Sequence, residues 1–396
     1  MNSVDLSFTI DDITAFHLAF SDQPGYWEDY RGGGEAAESA RFEFRPGWQT
    51  VYPRTVEAIL LRVRLADGTV GWGEANTPIG PEVTALICER LVGPMACGRA
   101  FGDPQSLWDF LYDAQRGRGY AAGFYLDALA ALDIAVWDAL GKRAGLPVAA
   151  LLCASPRQQI PAYLSGLRQA TLADRIAAMQ QWADTGLRGI KIFLDGDLDA
   201  GMAELAALQE AGCIEQWMVD TLWMCRGDVA QRAKLGFGEM GVRFLECPLQ
   251  PEDLQGHRAL HAEPGAPIAL GEHFRTHYQT EAWFDAPRSL DVYQPDIGRT
   301  GLSDGLRQVV QARAAGIPST PHMGSGLAVF QAATLHFAAV CGDEYLQEYQ
   351  AGLAERAALV AQTAWTYAAG GFVLPDRPGL GVEIDEEAVA RYSVAL

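Results

Sequence analysis

The feature that most constrains this chain is a repeat of ionisable residues. Asp220, Glu246, Glu272, Asp296, His322 and Glu348 follow one another at intervals of 26, 26, 24, 26 and 26 residues. Each stands near the end of a short run rich in β-branched, aliphatic or aromatic residues. That interval is what a strand, a loop, a helix and a second loop require. The runs expected to be strands lie at 161–166, 189–194, 217–222, 242–248, 268–273, 291–296, 317–322 and 345–350. Amphipathic stretches between them, such as 172–184 and 306–315, are expected to be helices, each followed by a glycine that suits a helix C-terminus. The pattern predicts an α/β fold, a (β/α) barrel. One Asp or Glu at a strand end is usually a helix N-cap or a surface carboxylate. Six in one phase point instead to a shared mouth, because a barrel brings the C-terminal ends of its strands to one face.

The residue types suggest a division of labour. Asp220, Glu246 and Glu272 come from successive strands, and three carboxylates crowded together repel unless a cation lies between them. Hard oxygen donors favour Mg²⁺, with Mn²⁺ as a substitute, whereas zinc would recruit His or Cys. On the opposite rim Asp296 and His322 form a carboxylate–imidazole pair, in which the carboxylate fixes one tautomer and raises the basicity of the ring. The alternative for His322 is a hydrogen-bonded core histidine. Glu348 is expected to stay protonated and donate a hydrogen bond to a developing oxyanion, or else to cap a helix. Lys191 lies in the apolar run Ile190, Ile192, Phe193, 29 residues before Asp220. It is either a working group or a partner in an ion pair with Asp220 or Glu246. Together these groups suit removal of the proton next to a carboxylate. That proton is so weakly acidic that metal and donors must stabilise the enediolate.

Composition agrees with an enzyme of this size. At 396 residues the chain exceeds one ordinary core, so a barrel-sized domain and a smaller one are expected. Fifty acidic against 30 basic residues give a net charge of −20, which argues against a nucleic-acid partner. The seven cysteines form no CxxC pair, so neither a zinc cluster nor a disulfide framework is expected and a cytoplasmic location fits best. No run of about 18 apolar residues suggests a membrane span.

Seven segments, GLRGIKIFLDG, WMVDTLW, FLECPLQPED, ALGEHF, YQPDIGRTG, STPH and LQEYQ, resemble the strand signatures of the mandelate racemase subgroup of the enolase superfamily. Upstream, TVGWGEA at 69–75 resembles that family's N-terminal capping domain, and 129–148 resembles its helix and linker entering the barrel. Downstream, 371–385 resembles the segment that returns to complete the cap. The resemblance implies a (β/α)7β TIM-like barrel (151–350), an α+β capping domain (1–150) and a returning C-terminal segment (351–396).

For the site, the resemblance implies metal ligation by Asp220, Glu246 and Glu272, a His322–Asp296 dyad as base, and Glu348 as electrophilic donor. Lys191 matches the first lysine of the subgroup's Lys-x-Lys motif, which neutralises the substrate carboxylate. Phe193 stands where the second lysine would be, so the usual base on the opposite substrate face is absent and racemisation is not expected. A sugar-acid dehydratase fits best, with His322 removing the α-proton and then protonating the departing β-hydroxyl. An epimerase or racemase, or a lactone cycloisomerase, is the alternative and would call on a further acid, His273 or a loop residue. A catalytically silent sugar-acid-binding protein is an alternative of another class. Substrate contacts are expected from Tyr26, Trp27, Tyr30, Arg31 and Trp48 in cap loops and from Ser165 on the first barrel strand. The partner is a small carboxylate, and a homo-oligomer is expected.

Overall fold

A computed structural model describes residues 4–23, 25, 41–194 and 196–396. Tyr26, Trp27, Tyr30 and Arg31 lie outside the described residues.

The cap is built on an antiparallel sheet in which Phe8–Phe20 pairs with Val56–Leu65, which in turn pairs with Val70–Ala75. The far edge of Phe8–Phe20 receives Ser393–Val394, with His17 opposite Val394, so the C-terminus completes the cap sheet. The long helix Phe124–Ala144 lies against this sheet and buries nearly all of its length. Gly71 and Gly73 make that approach feasible. A Cβ on Gly73 would come within 1.8 Å of the Ala131 carbonyl oxygen, and one on Gly71 within 2.0 Å of that of Ala135. Small residues on helix and strand therefore allow backbone to meet backbone.

The barrel strands are parallel and run in chain order: Gln159–Ser165, Gly189–Phe193, Gln216–Asp220, Leu245–Glu246, Ile268–Leu270 and Val292–Tyr293. Gln347–Gln350 pairs back onto the first of them, with Glu348 opposite Tyr163 and Gln350 opposite Ser165. Seven helices connect the strands: Leu172–Asp184, Leu198–Glu210, Asp228–Glu239, Leu254–Ala262, His277–Phe284, Ile297–Ala314 and Ala328–Ala338. This is a (β/α)7β barrel capped by an α+β domain. Its interior is filled by Tyr163, Met218, Phe244, Ala269 and Val292, so it is a packed core rather than a pore.

The seventh strand departs from expectation. Residues 317–322 form no continuous ladder and touch the sixth strand only through single bridges, Tyr293 to Ser319 and Asp296 to His322. Pro318 and Pro321 lie in this segment and supply no N–H for a ladder. The fifth and sixth strands also end early, at Leu270 and Tyr293, so Glu272 and Asp296 stand beyond them. The helix expected at 306–315 begins much sooner, at Ile297, and is kinked at Gly301.

Cap and barrel are joined by buried acids. Asp133 accepts from the Ser303 amide at 2.9 Å. Asp138 accepts from the amides of Trp72 and Leu380, both at 2.9 Å, and so binds the cap sheet, the linking helix and the C-terminal segment together. Glu74, at the end of the third cap strand named above, accepts from Leu327 at 2.6 Å and Phe330 at 2.8 Å, satisfying amides at the start of helix Ala328–Ala338. Each carboxylate satisfies backbone donors that would otherwise be buried without partners.

Candidate active site

The strand ends open into a cavity of about 540 Å³, lined from the barrel by Lys191, Phe193, Asp220, Glu272, His322 and Glu348 and from the cap by Trp48, Asn76 and Thr77.

Its first half is a charge cluster set on regular strands. Parallel register places Asp220 beside both Phe193 and Glu246. The Lys191 ammonium donates to both Glu246 oxygens at 2.9 Å, lies 2.8 Å from Glu348 Oε1 and 3.8 Å from Asp220 Oδ2. Of the two readings of Lys191, this geometry matches the ion pair. Burial works against its charge, but Glu246 and Glu348 outweigh that and hold its pKa well above the ordinary lysine value. Asp220 is pushed well above the carboxylate range by burial and by Glu246, and Glu246 is also raised, mainly by burial. Gln294 donates to Glu246 Oε2 at 2.9 Å.

The second half centres on His322. Its Nδ1 lies 2.8 Å from Asp296 Oδ2, and its Nε2 lies 3.0 Å from Glu272 Oε2 and 3.9 Å from Glu348 Oε2. Burial disfavours the imidazolium, but Glu348, Glu272 and Asp296 together raise its pKa to about 10. Glu272 also accepts from the Trp223 indole at 3.2 Å. Arg299 donates to the Glu272 carbonyl at 2.7 Å and approaches Asp296 at 3.7 Å.

Three expectations change. Glu348 was expected to be a neutral donor; instead it accepts from the Met323 amide at 2.8 Å and faces Lys191. Burial raises its pKa, but Lys191 and His322 more than offset this and hold it below the ordinary carboxylate value. Ser165 is fully buried in register with Lys191 and Gln350 and, unlike them, does not line the cavity. His273 does not line the cavity either. It sits among Trp223, Phe274 and Trp283, where burial lowers its pKa to about 3.

Phe193 packs with Trp48, Tyr52, Leu222 and Met224, forming an apolar wall on the second-strand side. Its ring lies over Gly166, where a Cβ would come within 2.4 Å of Cε2. The chain thus fills with an aromatic ring the place where the sequence pattern called for a lysine.

The donor set suits a hard dication. Asp220 and Glu246 present ligand oxygens within 4.8 Å of one another, whereas Glu272 stands outside that group with its Oε2 3.0 Å from His322 Nε2. Five acidic groups, Asp220, Glu246, Glu272, Asp296 and Glu348, face three basic ones, Lys191, His322 and Arg299. Two of the buried carboxyls are strained towards protonation, a conflict that a bound dication relieves. The Cys247 thiol also lies within that group, but burial raises its pKa and sulfur is a poor ligand for Mg²⁺.

Of the cap's contributions, sequence reasoning found Trp48 but neither Asn76 nor Asp127. Asn76 donates to Asp296 at 2.6 Å, and Asp127 of the long helix clasps Arg275 with bonds of 2.8 and 3.2 Å. Asn76 directly follows the TVGWGEA segment, which was the only available signal.

A (β/α)7β barrel capped by an α+β domain is a fold that known proteins share. Residues 174–388 match the family described as Enolase C-terminal domain-like, and residues 47–153 match the Mandelate racemase / muconate lactonizing enzyme, N-terminal domain. The chain belongs to the mandelate racemase/muconate lactonizing enzyme family of the enolase superfamily. It is 29% identical over 356 residues to a D-galactarolactone cycloisomerase of Agrobacterium fabrum, covering 84% of this chain and 90% of that protein. It is 28% identical over 364 residues to a D-galactonate dehydratase of Ralstonia nicotianae, covering 87% and 93%. A solved structure described as a putative isomerase from Sinorhizobium meliloti superposes with a TM-score of 0.88 at 32% identity, covering 96% of this chain and 98% of that one. No helix among the described residues is long and apolar enough to cross a membrane.

Proposed function

We propose that this protein removes the α-proton of a sugar acid with His322 and expels the β-hydroxyl, giving a 2-keto-3-deoxy acid. The observation that carries this reading is the placement of His322: Asp296 holds Nδ1 at 2.8 Å while Nε2 faces the acidic mouth. Asp296 keeps the ring in the tautomer that accepts at Nε2 and stabilises the imidazolium after transfer. The α C–H bond breaks, its electrons enter an enediolate, and the imidazolium returns the proton to the hydroxyl that leaves as water. One side chain serves both steps on one face, which agrees with an apolar Phe193 across the cavity.

Asp220, Glu246 and Glu272 would hold Mg²⁺, with Mn²⁺ as a substitute; once bound, it supplies Lewis-acid stabilisation of charge on the substrate carboxylate. Lys191 holds Glu246 and Glu348 in place through its buried ammonium. Trp48, which packs beside Phe193 and lines the cavity, would contact the substrate.

A second reading, lactone cycloisomerisation, draws on the relative named D-galactarolactone cycloisomerase. In a lactone whose ring oxygen sits on the β-carbon, the leaving group is a carboxylate and needs no proton. The further acid sought at His273 is then unnecessary, and the same His322 step serves. Incubation with Mg²⁺ and a panel of galactonate, arabinonate, galactarate and galactarolactone decides between them. Release of a 2-keto-3-deoxy acid from an open-chain acid supports dehydration, and consumption of the lactone alone supports the second reading. Absence of both product and α-proton exchange across the panel would favour a binding protein.

A further inference from the structure

The base of this site is completed from the cap. Asn76 directly follows cap strand Val70–Ala75, yet its Nδ2 donates to Asp296 Oδ2 at 2.6 Å, across 220 residues of sequence. Asp296 Oδ2 is the same oxygen that His322 Nδ1 meets at 2.8 Å. Two donors thus converge on one oxygen of a carboxylate that is wholly buried. Asn76 is itself fixed by its backbone, whose amide donates to the Gly298 carbonyl at 2.9 Å.

Two glycines make room for this insertion. A Cβ on Gly298 would lie 2.5 Å from the Asn76 nitrogen and 2.7 Å from its Cβ. One on Gly324 would lie 3.0 Å from Asn76 Nδ2 and 2.8 Å from His322 Cε1. Contacts under 3.0 Å force something to move, so a side chain at Gly298 would displace Asn76 and one at Gly324 would displace the His322 ring that Asn76 helps to hold.

We infer that Asn76 is a positioning residue for the base: by holding Asp296 Oδ2 it fixes the carboxylate plane and, through it, the His322 ring. This rests on the reading of His322 as the base. A donor at 2.6 Å to a buried carboxylate is a charge-assisted hydrogen bond, short and directional, which suits it to set orientation. The amide oxygen makes no hydrogen bond among the described residues, so removing the amide disturbs chiefly the link to Asp296.

Asn76→Leu keeps the branched shape and removes the donor. With whichever acid of the panel is turned over, kcat and the rate of α-proton exchange should fall together by about ten- to a hundredfold, the usual cost of losing an outer partner of a working side chain. KM should stay within about twofold if Asn76 acts only through Asp296. Imidazole ¹⁵N–¹H spectra of Mg²⁺-loaded protein give a readout that needs no substrate. The ring signal of His322, assigned by its loss in His322→Asn, should shift or broaden in Asn76→Leu while the other histidines hold their places. Asn76→Ser, too short to reach Asp296, should behave alike and replaces the leucine variant if that one does not fold. An unchanged His322 signal, or a raised KM at unchanged kcat, overturns the inference and makes Asn76 at most a substrate contact. Exchange at the parent rate in His322→Asn would instead overturn the base assignment itself.

Discussion

The two halves of the cavity are built in different ways. Lys191, Asp220 and Glu246 sit on regular strands in tight register, and their charges support one another through a single buried ammonium. Glu272, Asp296 and His322 stand beyond strand ends, where the ladder reduces to isolated bridges, and depend on Trp223, Arg299 and the cap's Asn76 for position. The regular half supplies two of the three proposed cation ligands, Asp220 and Glu246, and the third, Glu272, stands in the irregular half beside His322. The irregular half fits proton transfer, in which ring orientation decides the outcome and neighbours from several elements must fix it.

The sharpest way to break this comparison is to remove the base. His322→Asn should lower both product formation and α-proton exchange by about a thousandfold or more, within the range for losing a general base. Mg²⁺ affinity, followed by calorimetric titration, should stay nearly unchanged because His322 is not itself a ligand, although it meets the proposed ligand Glu272 at 3.0 Å. A large loss of affinity would merge the two halves into one.

The reciprocal test is Glu246→Gln. It should reduce turnover by about a hundredfold or more and weaken Mg²⁺ binding, since one anionic ligand is lost. The fold should persist because Lys191 keeps Glu348 at 2.8 Å. Full activity with stoichiometric Mg²⁺ would contradict the ligand set.

A smaller effect reports on the junction that brings the cap to the irregular half. Burial raises the Glu74 carboxyl to about 7, outweighing the amides of Leu327, Phe330 and Val329. Because this folded-state pKa lies above the unfolded one, the contribution is full below about pH 4.5 and is lost as pH rises through about 7. The stability of the parent relative to Glu74→Gln should therefore fall by about 2 to 3 kcal/mol between pH 5 and 8. Denaturant unfolding at the two pH values checks this, and a difference that is flat or rising with pH would place the Glu74 pKa elsewhere.

What was legible in the sequence follows the same division. The phase of Asp220, Glu246 and Glu348 was readable because a strand-to-strand repeat has a fixed length and alternation sets which side chains reach the mouth. The burial of Ser165 was not readable, because position near a strand end does not reveal whether a side chain reaches the cavity surface. The broken seventh strand was signalled by Pro318 and Pro321, which the 26-residue phase of His322 outweighed. Asn76 with Asp296 and Asp127 with Arg275 join residues 220 and 148 positions apart, and no periodicity within the barrel encodes such contacts.

The central claim is that one base works on one face, with Phe193 opposite. NMR of substrate recovered from partial turnover in D₂O tests it most directly. Deuterium should enter at the α-carbon with retention, only in substrates whose configuration presents that hydrogen to His322, and no C2 epimer should accumulate. Deuterated epimer appearing as fast as product would contradict the account and require a second acid on the Phe193 side.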